Sequence, residues 1–395
     1  MRITNLLKQR IILSAALILM TIGLGCKKKK GLQLIKTGEQ VFETDFAVSS
    51  KHSGYFVDSK TEVEYIYLSN GSTERKVSFF TLDGKLHKTI DYKKATQGHR
   101  IEDISIWSLD TILALSYRTG IVFAINDSGK CIKQVNLNSF LSDTLFPATL
   151  ISTSGGNDFL FNKTLYLYRG FDLPVDTAKP FLDYLIKAYN IKRETPYLIE
   201  VKNIFSESPD LSFLVDSFFR FVPKNHMAAD IPDYSFYNDL IHIISFGIDC
   251  LFVYDLNGEH HKTIYLDYKN KVDQSLKFYE FKEDYENTMP KFGAWSTINA
   301  NYLSNLFYDE IHQRYYISAY HPYNGPSEDS WYKRNWSMLI YDKDFIFLDE
   351  IIVENPEIRL FFSFLTTKGW YTRKNKYYNE NYDPLKTHFD IYTID

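Results

Sequence analysis

The chain has 395 residues, enough for two average domains or one large repetitive fold, and carries 45 basic against 49 acidic side chains. Its first 30 residues hold seven basic and no acidic ones, so the remainder keeps 38 against 49, a net charge near −11. A body of that sign lacks the basic footprint that nucleic-acid phosphates require, which excludes nucleic acid as a partner.

The chain begins with a targeting pattern. Arg2, Lys8 and Arg10 precede an apolar run over residues 11–23, and the small Gly25 stands directly before Cys26. From residue 11 to residue 25 is 15 residues, short of the roughly 20 that a bilayer core needs, so a plain transmembrane anchor is disfavoured. Lys27, Lys28, Lys29 and Lys30 follow. They can act as a solvated tether or add about 1 kcal/mol each by attraction to anionic head groups.

Beyond the tether one phrase recurs: an apolar strand, a turn rich in Asp, Asn and Gly, and a second strand. Residues 77–82 lead through Asp83-Gly84-Lys85 into 86–92, and residues 121–125 through Asn126-Asp127-Ser128-Gly129-Lys130 into 131–137. Residues 250–254 lead through Asp255-Leu256-Asn257-Gly258 into 260–266, and 338–341 through Asp342-Lys343-Asp344 into 345–353. Turns of this kind between alternating strands are strong hairpin signals, because the tight turn needs positive φ. Further candidate strands precede each hairpin: 64–68, then 104–107 and 112–117, then 240–246, then 306–308 and 315–320.

Four strands per unit at a spacing of about 40 to 50 residues is the period of a β-propeller blade. Two degenerate units, 145–201 and 360–394, fill the gaps. The expected fold is therefore an all-β propeller of six blades, with seven the alternative, and a strand over 40–48 closing the ring against the last blade. Aromatic residues make up 16% of the chain, 30 of them Tyr and 30 Phe, which suits half-buried pleated surfaces. A short helical insertion is expected over 179–191, where Phe181, Leu182, Leu185, Ile186 and Tyr189 share one face. Residues 269–290 are dense in charge and read as a solvated loop or a short helix. Of the three cysteines, Cys131 and Cys250 lie in distant apolar runs and are read as two buried thiols in preference to a disulfide.

The start of the chain resembles bacterial lipoprotein signal peptides, with Gly23 where that family more often carries Leu. The resemblance implies cleavage before Cys26 and acylation of its sulfur, leaving residues 1–25 as signal peptide, 26–39 as lipidated cysteine and basic tether, and 40–395 as one propeller domain. Two or three acyl chains, at about 0.8 kcal/mol per buried methylene, would make the anchor effectively permanent. With the turns at Asp83-Gly84, Ser128-Gly129 and Asn257-Gly258, the whole chain resembles the lipid-anchored β-propeller proteins of Bacteroidota. In that group acidic residues after the cysteine mark surface export. Lysines stand there instead, which implies a cell-envelope protein that faces the periplasm.

No phosphate-binding glycine loop, zinc-spaced Cys or His set, or nucleophile elbow is present, and no cofactor or metal is expected. His260-His261 opens a strand, where neighbouring side chains point to opposite faces. His99-Arg100-Ile101-Glu102-Asp103 gathers charge before a strand and reads as an active-site lip or a surface turn. The best candidate site is a loop in the fifth blade: His321, Tyr323, Asn324, Trp331, Tyr332, Lys333, Arg334 and Trp336. Aromatic faces beside Arg and Asn suit a sugar ring or a partner's hot spot, although the two tryptophans can equally pack between blades, as can Trp295. These residues point to a lipid-anchored binding or interaction module for an envelope protein or glycan. The alternative is a propeller-type lyase or hydrolase that gathers His with Arg or carboxylate near the central channel.

Overall fold

The computed structural model describes residues 31–48, 53–116, 119–137, 148–151, 160–171, 183, 187, 190, 198–214, 233–245, 248–268, 302–321, 334–353, 363–374 and 382–395. Residues 34–395 form one compact unit, a six-bladed β-propeller. Five sheets are continuous in sequence. Blade 1 runs Ser53–Val57, Glu64–Asn70, Lys76–Thr81, Leu86–Asp91; blade 2 runs Asp103–Ser108, Thr111–Ser116, Ile121–Asn126, Cys131–Asn136. Blade 3 is built from Ala148–Ile151, Thr164–Phe171, Leu198–Lys202 and Asp210–Leu214, with the short Leu160–Phe161 as an extra partner. Blade 4 takes Asp233–Tyr237, Leu240–Ser245, Ile248–Asp255 and His260–Tyr265; blade 5 takes Tyr302–Asp309, Arg314–Tyr320, Trp336–Asp342 and Phe347–Val353. In blade 6 the last three strands of the chain, Ser363–Thr366, Gly369–Arg373 and Lys386–Ile394, are completed by the first, Leu34–Glu43.

All pairings are antiparallel. First strands of neighbouring blades approach one another, as Asp233–Tyr237 does Tyr302–Asp309 and Ser53–Val57 does Ser363–Thr366, which puts them at the axis. Fourth strands lie outermost, with exposed side chains along Leu86–Asp91 and Cys131–Asn136. The middle strands are buried on both faces, because each blade is sandwiched between two others. Leu113 and Leu115 pack toward blade 3 while Ile112 and Ala114 pack toward blade 1. That is why runs such as Ile121–Asn126 are apolar without alternation.

The recurring turn has one physical explanation in four blades. Gly84, Gly129 and Gly258 take φ of 87°, 76° and 84°, and their amides donate to Thr81, Asn126 and Asp255 carbonyls. The ladder slips by one residue beside each, between Phe79 and Phe80, Ala124 and Ile125, and Val253 and Tyr254, so turn and bulge form one unit. In blade 5 the glycine position is held by Phe345 at φ 62°, with the same slip between Ile340 and Tyr341. A left-handed Phe costs about 1–2 kcal/mol. Its buried ring, stacked 4.0 Å from Tyr315, offsets that cost.

Several expectations change in detail. The closing strand is Leu34–Glu43 and not 40–48; its polar start, Lys36-Thr37-Gly38-Glu39, is tolerated because one face of an outermost strand is solvated. Phe46 and Val48 are buried but lie past the strand. Of the expected helix only Asp183, Lys187 and Asn190 are described, all helical and exposed, and the rest lies outside the described residues with the 269–290 loop. Cys250 is buried and Cys131 exposed on an outer strand; neither forms a disulfide, so the expectation of two buried thiols is half corrected. The reason is position: fourth strands leave one face to water. Residues 1–30, with the signal and Cys26, lie outside the described residues.

Gly129 meets the backbone of the neighbouring blade: an added Cβ would sit 1.9 Å from the Asp91 carbonyl oxygen, whereas at Gly84 it would meet only the end of the Gln40 side chain. Gly129→Ala should therefore cost about 3 kcal/mol or more in urea denaturation and Gly84→Ala about 1–2 kcal/mol. Equal losses would mean that the blade contact is unimportant. Phe42→Ala, which removes a fully buried ring from between Phe80 and Phe389 on the closing strand, should cost about 3–5 kcal/mol in the same measurement.

Candidate functional site

Within each blade the first strand runs from one end of the axis to the other. The carboxyl ends of the first strands of blades 1, 4, 5 and 6, at Val57, Tyr237, Asp309 and Thr366, surround a pocket of about 410 Å³. Strand polarity puts the third-to-fourth turns, and the start of the closing strand at Leu34, at this same end. The long connections, 172–197, 269–301 and 322–333, leave from strand ends at the opposite end.

Blade 1 forms one wall. Gly54 lets the Tyr67 ring lie along the first strand, since a Cβ there would come within 2.7 Å of three atoms of that ring and its hydroxyl. Tyr55 donates its phenolic hydrogen to Glu64 Oε1 at 2.8 Å, and Thr367 of blade 6 donates to Glu64 Oε2 at 2.7 Å, so one carboxylate joins two blades. Burial, helped by Glu64 and the charge of Glu310, holds the Tyr55 phenol well above its ordinary pKa. Tyr237 donates to the Leu306 carbonyl at 3.2 Å, and burial pushes its pKa up to about 12.

Blade 5 supplies the rim. Buried Asp309 Oδ1 accepts from the amides of Ile311 and His312 at 2.9 and 3.1 Å, while Oδ2 lies 2.6 Å from His312 Nδ1 and accepts from the Tyr316 hydroxyl at 3.3 Å. Asp309 is therefore spent on shaping the turn, which lifts exposed Glu310 and Ile311 over the opening. Among the described lining residues there is no Lys, Arg or His. Chemically the pocket offers tyrosine rings, hydroxyl lone pairs and carboxylate charge.

Behind Tyr237 lies His242, fully buried against Tyr237, Tyr315 and Phe345 with ring centroids 6.0, 5.4 and 5.6 Å away. Burial foremost, with Lys262 adding, drives its pKa down to about 3.

Of the loop picked from sequence, His321, Arg334 and Trp336 are described; Tyr323, Asn324, Trp331, Tyr332 and Lys333 lie outside the described residues, as does Trp295. His321, Arg334 and Trp336 come together, but at the end of blade 5 away from the pocket, and all three are buried. Arg334 Nε donates to the His321 carbonyl, and Ser337 Oγ donates to Glu350 Oε1 at 2.6 Å. Since that hydroxyl hydrogen is committed, His321 Nε2, 2.7 Å from Ser337 Oγ, must be the donor there. Burial foremost, and then Arg334, lowers the His321 pKa against the pull of Glu350. Trp336 is 1% exposed and faces Tyr320, so its ring braces the sheet and presents no face to solvent.

Other charged candidates are ordinary surface features. Exposed His260 bonds Thr263 at 2.9 Å on an outer strand, and Arg100 pairs with Glu102 at 3.3 Å while His99 packs on Phe123. The pocket itself escapes a sequence reading because its walls are first strands. Ser53–Val57 and Asp233–Tyr237 are five residues each and carry no hairpin turn on their leading side.

No family model and no curated protein matches the chain. Among solved structures it is similar to a member of the DUF4221 family from Bacteroides vulgatus, at 14% identity and TM-score 0.69 over 93% of this chain and 99% of that one. Fainter likenesses are to a Bacteroides fragilis protein named as exported (8% identity, TM-score 0.48, 94% of this chain and 97% of that one) and to virginiamycin B lyase of Staphylococcus aureus (11%, 0.38, 90% and 99%). The first establishes the propeller fold, shared with a Bacteroides protein.

His242 gives the fold around the pocket a pH dependence of defined sign. Unfolded, the imidazole titrates near 6.5; folded, near 3. Below pH 6.5 the unfolded chain takes up a proton that the fold refuses, so stability falls as the pH drops toward 3, by on the order of 5 kcal/mol in full. In urea denaturation at pH 7.5, 5.5 and 4, His242→Phe should lose less stability on acidification than the parent chain. Parallel losses would place the imidazole in water.

Proposed function

We propose that the chain is a cell-envelope β-propeller, lipid-anchored through Cys26 and facing the periplasm, that acts as a binding module with the axial pocket as its ligand site. The observation that carries this reading is the pocket: four blades converge on it, and tyrosine rings from three of them line it. A concave, largely apolar hollow with a few fixed polar groups is where proteins take small ligands or the protruding group of a larger one. The partner belongs to the envelope, as a protein or a glycan that presents such a group. A lyase or hydrolase reading asks for a histidine beside Arg or carboxylate on the pocket wall. The described lining offers carboxylates and tyrosines, which favours binding over turnover.

Two measurements test the two halves of the proposal. Cys26→Ala should move the protein out of the detergent phase on phase partitioning and leave it extractable by salt, since the four lysines alone hold it electrostatically. A variant that still partitions into detergent would remove the lipid from the account. Val57 is 44% exposed at the pocket wall, so Val57→Trp should fill the opening without loss of fold. Purified envelope glycans or proteins retained by the parent chain should be lost by Val57→Trp and kept by Ile132→Trp on an outer strand. Retention by both variants would put the binding surface elsewhere.

A further inference from the structure

Four hydroxyl hydrogens around the pocket are turned away from it. Tyr55 and Thr367 donate theirs to Glu64, Tyr237 to the Leu306 carbonyl, and Thr366 to the Gly369 carbonyl at 3.1 Å. A hydroxyl whose hydrogen is spent still has a lone pair to offer, so Tyr55 and exposed Thr367 meet a ligand as acceptors, while the Thr366 oxygen is already taken by the Lys368 amide at 3.0 Å. No Lys, Arg or His stands among the described lining residues to supply a donor. Charge adds to this pattern. Glu64 lies immediately behind Tyr55, and exposed Glu310 stands on the rim close enough to raise the pKa of both Tyr55 and Tyr237. The remaining wall is aromatic, and tyrosine faces attract cations through the ring quadrupole, by about 0.5–2 kcal/mol according to desolvation.

We infer that the axial pocket takes a ligand through a cationic ammonium group, with Glu310 and the tyrosine rings as its counter-charges and the lone pairs of Tyr55 as hydrogen-bond acceptors. An anion would meet carboxylate charge and no cationic side chain among the described lining residues. A neutral polyol could satisfy the acceptors but would leave Glu310 without a partner. The ammonium group can come from a free amine or from the head group of an aminolipid, since both present the same donors. This inference rests on the pocket being the ligand site.

The test uses the full chain in detergent micelles and calorimetric titration with spermidine, with chitotetraose as the neutral probe and inorganic phosphate as the anionic one. Spermidine should bind, more weakly as salt is raised, while chitotetraose and phosphate give no heat. Glu310→Lys should weaken spermidine at least tenfold and Val57→Trp should abolish it. Co-sedimentation of the Cys26→Ala chain with vesicles of phosphatidylethanolamine assigns the amine: retention that an added Val57→Trp abolishes identifies a head group, and no such retention a soluble amine. Spermidine binding that survives both pocket variants overturns the inference, as does no spermidine binding. Binding of chitotetraose alone, lost in Val57→Trp and kept in Glu310→Lys, would overturn the ammonium inference and leave the pocket as the site. Retention of the envelope partner by Val57→Trp would overturn the site itself.

Discussion

The pairing of Leu34–Glu43 with Lys386–Ile394 closes the ring, and the rest of the structure depends on it. Register runs from Leu34 opposite Ile394 to Glu43 opposite Lys386. Without that strand blade 6 would end at an unpaired edge, an open template for association. With it, Phe42 enters between Phe389 of its own blade and Phe80 of blade 1, so the first and last parts of the chain share one apolar cluster. Lys36 and Lys374 reach Asp390 across the strands at 2.9 and 3.3 Å, but these exposed pairs are screened and the aromatic packing dominates. Closure also brings blade 6 against blade 1, and so completes the Glu64–Thr367 bridge beneath the pocket.

Polar groups are used differently at the two ends of the propeller. Between blades 4 and 5 buried groups pair across the interface: Asp233 accepts from the Asn305 amide at 3.0 Å and Ser235 donates to the Leu306 carbonyl at 3.0 Å. At the pocket the hydroxyl hydrogens of Tyr55, Tyr237, Thr366 and Thr367 are likewise committed to protein acceptors. At the far end of blade 5, the chain from His321 through Ser337 to Glu350 is wholly enclosed. A buried hydrogen-bond chain of this kind braces the sheet, and that is the role its burial assigns it.

Much of the architecture is legible in the sequence because the recurring turn has strict backbone demands. Asn126, Asp255 and Asp342 each use their side-chain oxygen to accept the amide four residues on, at 2.9, 2.9 and 2.8 Å, and a residue at positive φ follows. Such a turn cannot be built from arbitrary residues, so it shows through. First strands demand less. Ser53–Val57 is short and opens on Ser-Gly, and its place is set by what packs beside it at the axis. The burial of the described part of the candidate loop is hidden from the sequence for a related reason. Trp336 and Arg334 look like recognition residues in one dimension, but a blade buried on both faces consumes them, whereas the pocket is assembled from Tyr55, Tyr237 and Glu310, which lie far apart along the chain.

Leu34 enters the propeller at the pocket end, with a consequence for geometry at a membrane. Seven residues lie between it and Cys26, and the eight Cα-to-Cα steps span about 28 Å when fully extended. Were Cys26 held in a leaflet, as proposed above, so short a leash would keep the entrance near the bilayer and leave the strand ends that carry the long connections to face open water. Anything reaching the hollow would then travel sideways through a narrow gap, and bulky molecules would be sieved out before any contact with tyrosine.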